Sequence, residues 1–126
     1  MKLLLDSNAL LWLLAGEQRL GLKARRTLAS AARLFVSDVT VFEIGIKVAA
    51  AKLSAPPGLS EVIDQLGVVR SGVRDDVLDA MRELPFHHGD PFDRYLIAQA
   101  LIDSVPIVTS DSQFAQYGVR VIDARE

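Results

Sequence analysis

The sequence of 126 residues contains no cysteine. That absence excludes a disulfide scaffold, a thiolate zinc site and a cysteine nucleophile, and it fits a reducing compartment. The two histidines, His87 and His88, are adjacent. Neighbours in an extended loop point opposite ways and lack zinc-site spacing, so they read as loop or rim contacts. Any metal is left to oxygen ligands. No apolar run reaches the roughly 18 to 20 residues a membrane helix needs, because Asp6, Ser7 and Asn8 interrupt the Leu-rich start. Lys2 followed by Leu-Leu-Leu-Asp also lacks the unbroken stretch and cleavage site of a secretory signal, so the expected location is the cytoplasm. There is no glycine-rich phosphate loop, no repeat and no DNA-binding motif. Neither charge sign dominates: 14 Lys plus Arg stand against 16 Asp plus Glu, a net charge of −2. That balance argues mildly against a general nucleic-acid coat protein. Masking four carboxylates with metal would leave 14 basic residues against 12 acidic ones, so net charge does not decide the matter.

What is present is the composition of a globular protein, 50% hydrophobic and 24% charged, within the length of one domain covering residues 1–126. Lys2 to Leu5 reads as a strand buried on both faces. Ser7 can cap the helix that follows, whose nearly continuous apolar residues from Ala9 to Ala15 stop at Gly16. A second helix is expected over Gly21 to Ala32, a strand over Leu34 to Ser37, and a helix over Val39 to Leu53 before Pro56-Pro57-Gly58. Leu59 to Leu66 reads as helix, Val68 to Arg70 as extended, and Asp75 to Leu84 as helix with Val77, Leu78 and Met81 on one face. A helix starting at Asp90-Pro91 carries the stripe Leu96, Ile97, Ala100 and Leu101. Pro106 to Val108 and Val119 to Ile122 are the last strands, separated by a helical turn over Asp111 to Tyr117. Strands alternating with helices imply right-handed crossovers and a parallel sheet covered on both sides. Ligands of such sheets bind beyond the carboxyl ends of the strands, where the strand order reverses.

Two acids belong at that edge by sequence alone: Asp6, directly after the first strand, and Asp111, just past Ile107-Val108. Each also has a structural explanation. Asp6 and Asp111 suit helix caps or turns. Glu43, inside the apolar run Val41, Phe42, Ile44 and Ile46, can pair with Lys47 at i+4 or close a capping box with Thr40. Asp90-Pro91-Phe92-Asp93 is a helix-start pattern in its own right, which favours Asp90 as a cap and leaves Asp93 open. Capping does not explain why Asp6 and Asp111 converge on one sheet edge. Carboxylates clustered there repel one another, so the site needs a cation or raised pKa values. All-oxygen ligation selects Mg²⁺ or Mn²⁺ over zinc.

Four blocks carry a family resemblance: Leu4-Leu5-Asp6-Ser7-Asn8-Ala9-Leu10-Leu11-Trp12; Ser37 to Lys47 with Phe42-Glu43-Ile44-Gly45; Asp90-Pro91-Phe92-Asp93-Arg94 with Leu96-Ile97-Ala98-Gln99-Ala100; and Val108-Thr109-Ser110-Asp111. In order and spacing they resemble the PIN domain and, more narrowly, the VapC toxins of bacterial and archaeal toxin–antitoxin pairs. The resemblance spans nearly the whole chain. It implies a three-layer α/β/α domain with a central parallel sheet of about five strands. It also implies a Mg²⁺-dependent endoribonuclease, with Mn²⁺ as a possible substitute. The family's catalytic and metal-binding quartet falls on Asp6, Glu43, Asp93 and Asp111, with Asp93 rather than Asp90 on the metal. The implied reaction is RNA phosphodiester hydrolysis by a metal-activated water, leaving a 5′-phosphate and a 3′-hydroxyl. Thr109 matches a polar position that supports the site. Asn8, Thr109, Asp90 and Arg94 are the supporting or substrate-contact candidates, with Arg94 assigned either to the substrate backbone or to the helix surface. Ser7 and Asn8 stand where Thr and His are common, a departure that weighs against a catalytic role at position 8. Phe42 replaces a frequent Trp, an aromatic exchange expected to alter only packing. The implied partners are RNA, a VapB-like antitoxin that blocks the acidic site and carries the DNA-binding function, and a second copy of the chain as a homodimer.

Three other readings use the same acids. A haloacid-dehalogenase-like phosphatase needs an acid two positions after the nucleophilic Asp, and Asn8 is an amide there. A phospho-receiver domain needs a second acid beside Asp6 and an Asp after the third strand, and Val68 to Gly72 supplies none. A catalytically degenerate PIN domain that only binds a partner has no support from a retained quartet.

Overall fold

A computed structural model describes residues 1–126. The elements run β1 (Lys2–Leu5), α1 (Ser7–Ala15), α2 (Leu22–Ser30), β2 (Arg33–Ser37), α3 (Asp38–Ala49), α4 (Leu59–Gln65), β3 (Val69–Ser71), α5 (Asp75–Arg82), α6 (Pro91–Asp103), β4 (Ile107–Thr109), a 3-10 helix (Ser112–Tyr117) and β5 (Val121–Asp123). The five strands form one sheet in the order β3-β2-β1-β4-β5, and every pairing is parallel. Receiver domains differ, because in them β1 lies between β2 and β3. No helix is long and apolar enough to cross a membrane.

The period-2 geometry of β1 divides the interior into two cores. Leu3 and Leu5 enter one with Leu10, Leu28, Ile44 and Ile63, whereas Leu4 enters the other with Val77, Leu96, Ile97 and Phe114. Helices α1 to α4 thus cover one face, and α5, α6 and the 3-10 helix cover the other, giving three α/β/α layers. All three leucines are fully buried, which explains why β1 is a continuous apolar run rather than an alternating one. After β1 the chain moves outward to β2 and β3, then returns to place β4 on the other side of β1. The reversal opens a crevice at the carboxyl ends of β1 and β4.

Several boundaries differ from expectation for local reasons. The cap of α1 is Asp6, whose carboxylate accepts from the Ala9 N–H at 2.8 Å, and Ser7 is the first helical residue rather than the cap. Helix α3 stops at Ala49 instead of Leu53, although alanines are strong helix formers. Ala51 takes a left-handed φ of 56°, and the N–H of Lys52 closes back on the Lys47 carbonyl. That turn brings Leu53 and Ala55 against the first core. Thr40 lies within α3, whose cap is Ser37, so it closes no capping box with Glu43. The segment after Asp111 is 3-10 rather than α-helical, closed by the left-handed Gly118 at φ 76°, and β5 begins at Val121, two residues later than expected.

Candidate active site

The crevice gathers acids from four elements. Asp6 leaves β1 at the switch point and is buried. Its Oδ1 is taken by the α1 cap, and its Oδ2 accepts the Thr109 hydroxyl at 2.5 Å. Thr109 Oγ1 in turn accepts the Asp111 N–H at 3.0 Å, and Asp111 Oδ1 caps the 3-10 helix through the Gln113 N–H. A single threonine at the end of β4 therefore ties the two strand ends together.

Glu43 enters from the middle of α3 and is only 2% exposed. Its Oε2 accepts from Lys47 Nζ at 2.9 Å. The Lys47 pairing expected at i+4 is present, and the carboxylate it holds is buried. One carboxylate oxygen each from Glu43, Asp90 and Asp93 lie within 4.8 Å of one another. Asp90 is the α6 cap, accepting from the Phe92 and Asp93 N–H groups through Oδ1, as its sequence context predicts. The structure adds that the same carboxylate stands with Glu43 and Asp93. Asp93 sits in the first turn of α6, where the helix dipole favours an anion.

The electrostatics describe one crowded neighbourhood. Burial pushes the Asp93 carboxyl up to about 7, assisted by the charges of Asp90, Glu43, Asp111 and Asp6. Burial likewise raises Asp6 to about 6, against the Thr109 and Ala9 hydrogen bonds that lower it, with Glu43 and Asp111 adding repulsion. The hydrogen bond to Glu43 holds the Lys47 ammonium above its ordinary range, and Asp90 and Asp93 add to the effect. Glu43, Asp90 and Asp93 thus form the tight group, with Asp6 and Asp111 as neighbouring charges and Lys47 paired to Glu43. Such a set favours a hard divalent cation: its donors are all oxygen, and two of its members are raised as they would be where a counter-charge is wanted.

Two expected contacts differ. Arg94 is buried, and its guanidinium donates to the Pro85, Met81 and Leu84 carbonyls at 2.9 to 3.1 Å while lying 4.1 Å from the Phe86 ring centroid. Neither a substrate contact nor a helix-surface residue, it anchors the α5–α6 connection. Its donors reach the carbonyls where α5 ends and the chain turns, those of Leu84 and Pro85 lying beyond the helix. Phe42 is 65% exposed and meets Phe92 edge to face at 6.2 Å, so it packs at the rim instead of in the core. Asn8 is exposed beside the site in a surface cleft. Thr40, expected only as a capping partner of Glu43, carries a buried hydroxyl one turn before it that has no partner. Its three-residue spacing from Glu43 was the available signal.

The sequence matches the PIN domain family over residues 3–120. The chain belongs to the PIN domain family. Solved structures with the same fold cover nearly all of this PIN domain. They include VapBC2 from Rickettsia felis bound to a promoter DNA fragment, at 12% identity and a TM-score of 0.70, covering 97% of this chain and 98% of that one. DNA-bound VapBC from Salmonella typhimurium has 17% identity and a TM-score of 0.71, covering 98% of each chain. A toxin–antitoxin complex from Klebsiella pneumoniae has 18% identity and a TM-score of 0.68, again covering 98% of each. No curated protein matches the sequence significantly.

Proposed function

We propose that this PIN domain is a Mg²⁺-dependent endoribonuclease and the toxin of a VapBC-type pair. The observation that carries the proposal is the tight group of Glu43, Asp90 and Asp93, with the charges of Asp6 and Asp111 acting on it, at the β1–β4 crevice of a PIN domain. Asp6, Glu43, Asp93 and Asp111 are the proposed ligands, and Asp90 is a fifth carboxylate within reach. These residues would hold Mg²⁺, or Mn²⁺ in its place, which would supply a water of lowered pKa and charge neutralisation at phosphate oxygens.

The chain's own residues prepare that chemistry. Thr109 and the Ala9 N–H fix both oxygens of Asp6, so its carboxylate does not have to be ordered when the site fills. Lys47 offsets part of the negative charge and holds Glu43 in the crevice. Without further positive charge, the remaining acids would repel a phosphodiester, which makes RNA binding at the crevice conditional on the cation. The proposed products carry 5′-phosphate and 3′-hydroxyl ends.

The toxin assignment is supported by the full-length likeness to chains from VapBC and toxin–antitoxin complexes. On this reading a VapB-like antitoxin binds the chain and contacts DNA, while the toxin itself acts as a cytoplasmic homodimer. The test is incubation of purified, antitoxin-free protein with total cellular RNA. Cleavage with Mg²⁺ or Mn²⁺ that is abolished by EDTA, by Asp6→Asn and by Asp93→Asn supports the proposal. Fragments that persist in both variants would overturn it.

A further inference from the structure

A second feature opens off the same edge of the sheet. Asn8, Trp12, Arg19, Ser110 and Arg125 line a cleft of about 530 Å³. Asn8 lies two residues past Asp6, and Ser110 immediately precedes Asp111, so the cleft and the crevice share a border. No carboxylate lines this cleft. Its two charged residues are arginines, and each is held in place. Arg19 lies 5.1 Å from the Trp12 ring centroid. It is 67% exposed, and its ion pair is with Glu17 at 3.3 Å. Arg125 donates to the Ser110 carbonyl at 2.5 Å, tethering it to the turn that carries Asp111. A neighbouring cleft of about 620 Å³ shares Asn8, Trp12 and Arg19 and is lined by both Lys52 and Glu17, the partner of Arg19, so the positive charge is concentrated at the Arg19–Arg125 cleft.

We propose that the Arg19–Arg125 cleft binds backbone phosphates of single-stranded RNA flanking the scissile bond and guides the strand into the acidic crevice. This deepens the nuclease reading and rests on it. The crevice presents five carboxylates to a polyanion, and a cationic subsite beside it holds the strand where the crevice alone would repel it. Arginine suits the task because its planar guanidinium matches phosphate oxygens and is less strongly hydrated than an ammonium. Stacking on Trp12 and the bond to Ser110 order both side chains beforehand, which reduces the entropy lost on binding. The Trp12 side chain is buried beneath Arg19, so the cleft reads the backbone and contributes affinity without base preference.

The test uses the whole chain and a 5′-fluorescein-labelled 12-nucleotide oligouridylate. Anisotropy titrations over a KCl series are run in EDTA, which prevents cleavage and leaves the cleft unchanged. Removing one phosphate contact should lower the slope of log Kd against log salt by about 0.7, so Arg19→Ala with Arg125→Ala should lower it by about 1.4. At low salt the double variant should bind about 10-fold more weakly. Arg19→Lys with Arg125→Lys should restore the slope, and the exposed Arg26→Ala should leave it unchanged. Thermal melts establish that each variant is folded, and the slope reports lost charge rather than a disturbed turn. An unchanged slope in the double alanine variant, or no measurable wild-type binding, overturns the cleft proposal. Metal-dependent RNA cleavage by the wild type, measured alongside, shows whether the nuclease reading stands when the cleft proposal falls.

Discussion

At the scale of the residue, Asp6 divides its two oxygens between a helix cap and the Thr109 hydroxyl. The sequence made capping and site membership look like rivals, yet one carboxylate does both. Thr109→Val removes the hydrogen bond that lowers the Asp6 pKa, so the acidic limb of the pH–rate profile should move to higher pH and activity at neutral pH should fall. Asp6 and Asp93, raised from 3.8 to about 6 and about 7, also make the metal-free protein sensitive to pH. Between those values the folded state holds protons that the unfolded chain has released, so stability is greatest below the unfolded pKa and falls as pH rises through the folded values. Thermal melts in EDTA should therefore show Tm decreasing from about pH 5 to about pH 8, and Mg²⁺ should raise Tm more at the upper end. Asp93→Asn, which removes one repelling charge, should raise the metal-free Tm by several degrees near pH 8 and abolish the Mg²⁺ increment. A lower Tm for this variant in EDTA would contradict the electrostatic account.

At the scale of the element, the start of α6 combines architecture with chemistry. Asp90-Pro91 announced the helix correctly, because a capping acid before a first-turn proline is a local signal. The cap and the cluster can be separated by substitution. Asp90→Asn keeps a capping oxygen and should hold Tm, whereas Asp90→Ala should cost about 1 kcal/mol; both should weaken Mg²⁺ binding if the carboxylate assists the cation. Arg94 was not legible. A charged residue one position past Asp93 suggests a surface, and the carbonyls of Met81, Leu84 and Pro85 that receive it belong to a neighbouring helix end. Arg94→Ala strands the Leu84 and Pro85 carbonyls and should destabilise the protein by about 2 to 4 kcal/mol, seen as a lower Tm with the metal requirement of any residual activity unchanged. The end of α3 was hidden for a related reason. Its alanines favour helix, and only the packing of Leu53 and Ala55 against the first core turns the chain away.

At the scale of the whole molecule, strands alternating with helices were enough to predict a parallel sheet covered on both faces. The strand order was not written in any segment, because it depends on which side of β1 the chain returns to. That return decides the site. It puts Asp6 beside Thr109 and Asp111, and it brings Glu43 of α3 to Asp90 and Asp93 of α6. Strand-end placement revealed Asp6 and Asp111 early, whereas Glu43 and Asp93 depended on resemblance, since their partners are distant in the chain. The proposed homodimer also belongs at this scale. Phe86, Phe42 and Val73 expose more than half of their surface, and light scattering on the purified chain should give twice its mass of 13.8 kDa.

On the proposed function, the crevice acids act together to hold a divalent cation. Calorimetric titration of Mn²⁺ into metal-free wild type, Asp6→Asn and Asp93→Asn near pH 8 tests it most directly. Saturable binding by the wild type, weakened at least about 10-fold in each variant, is the predicted result. Equal Mn²⁺ affinity in all three proteins, or none in the folded wild type, would contradict the account.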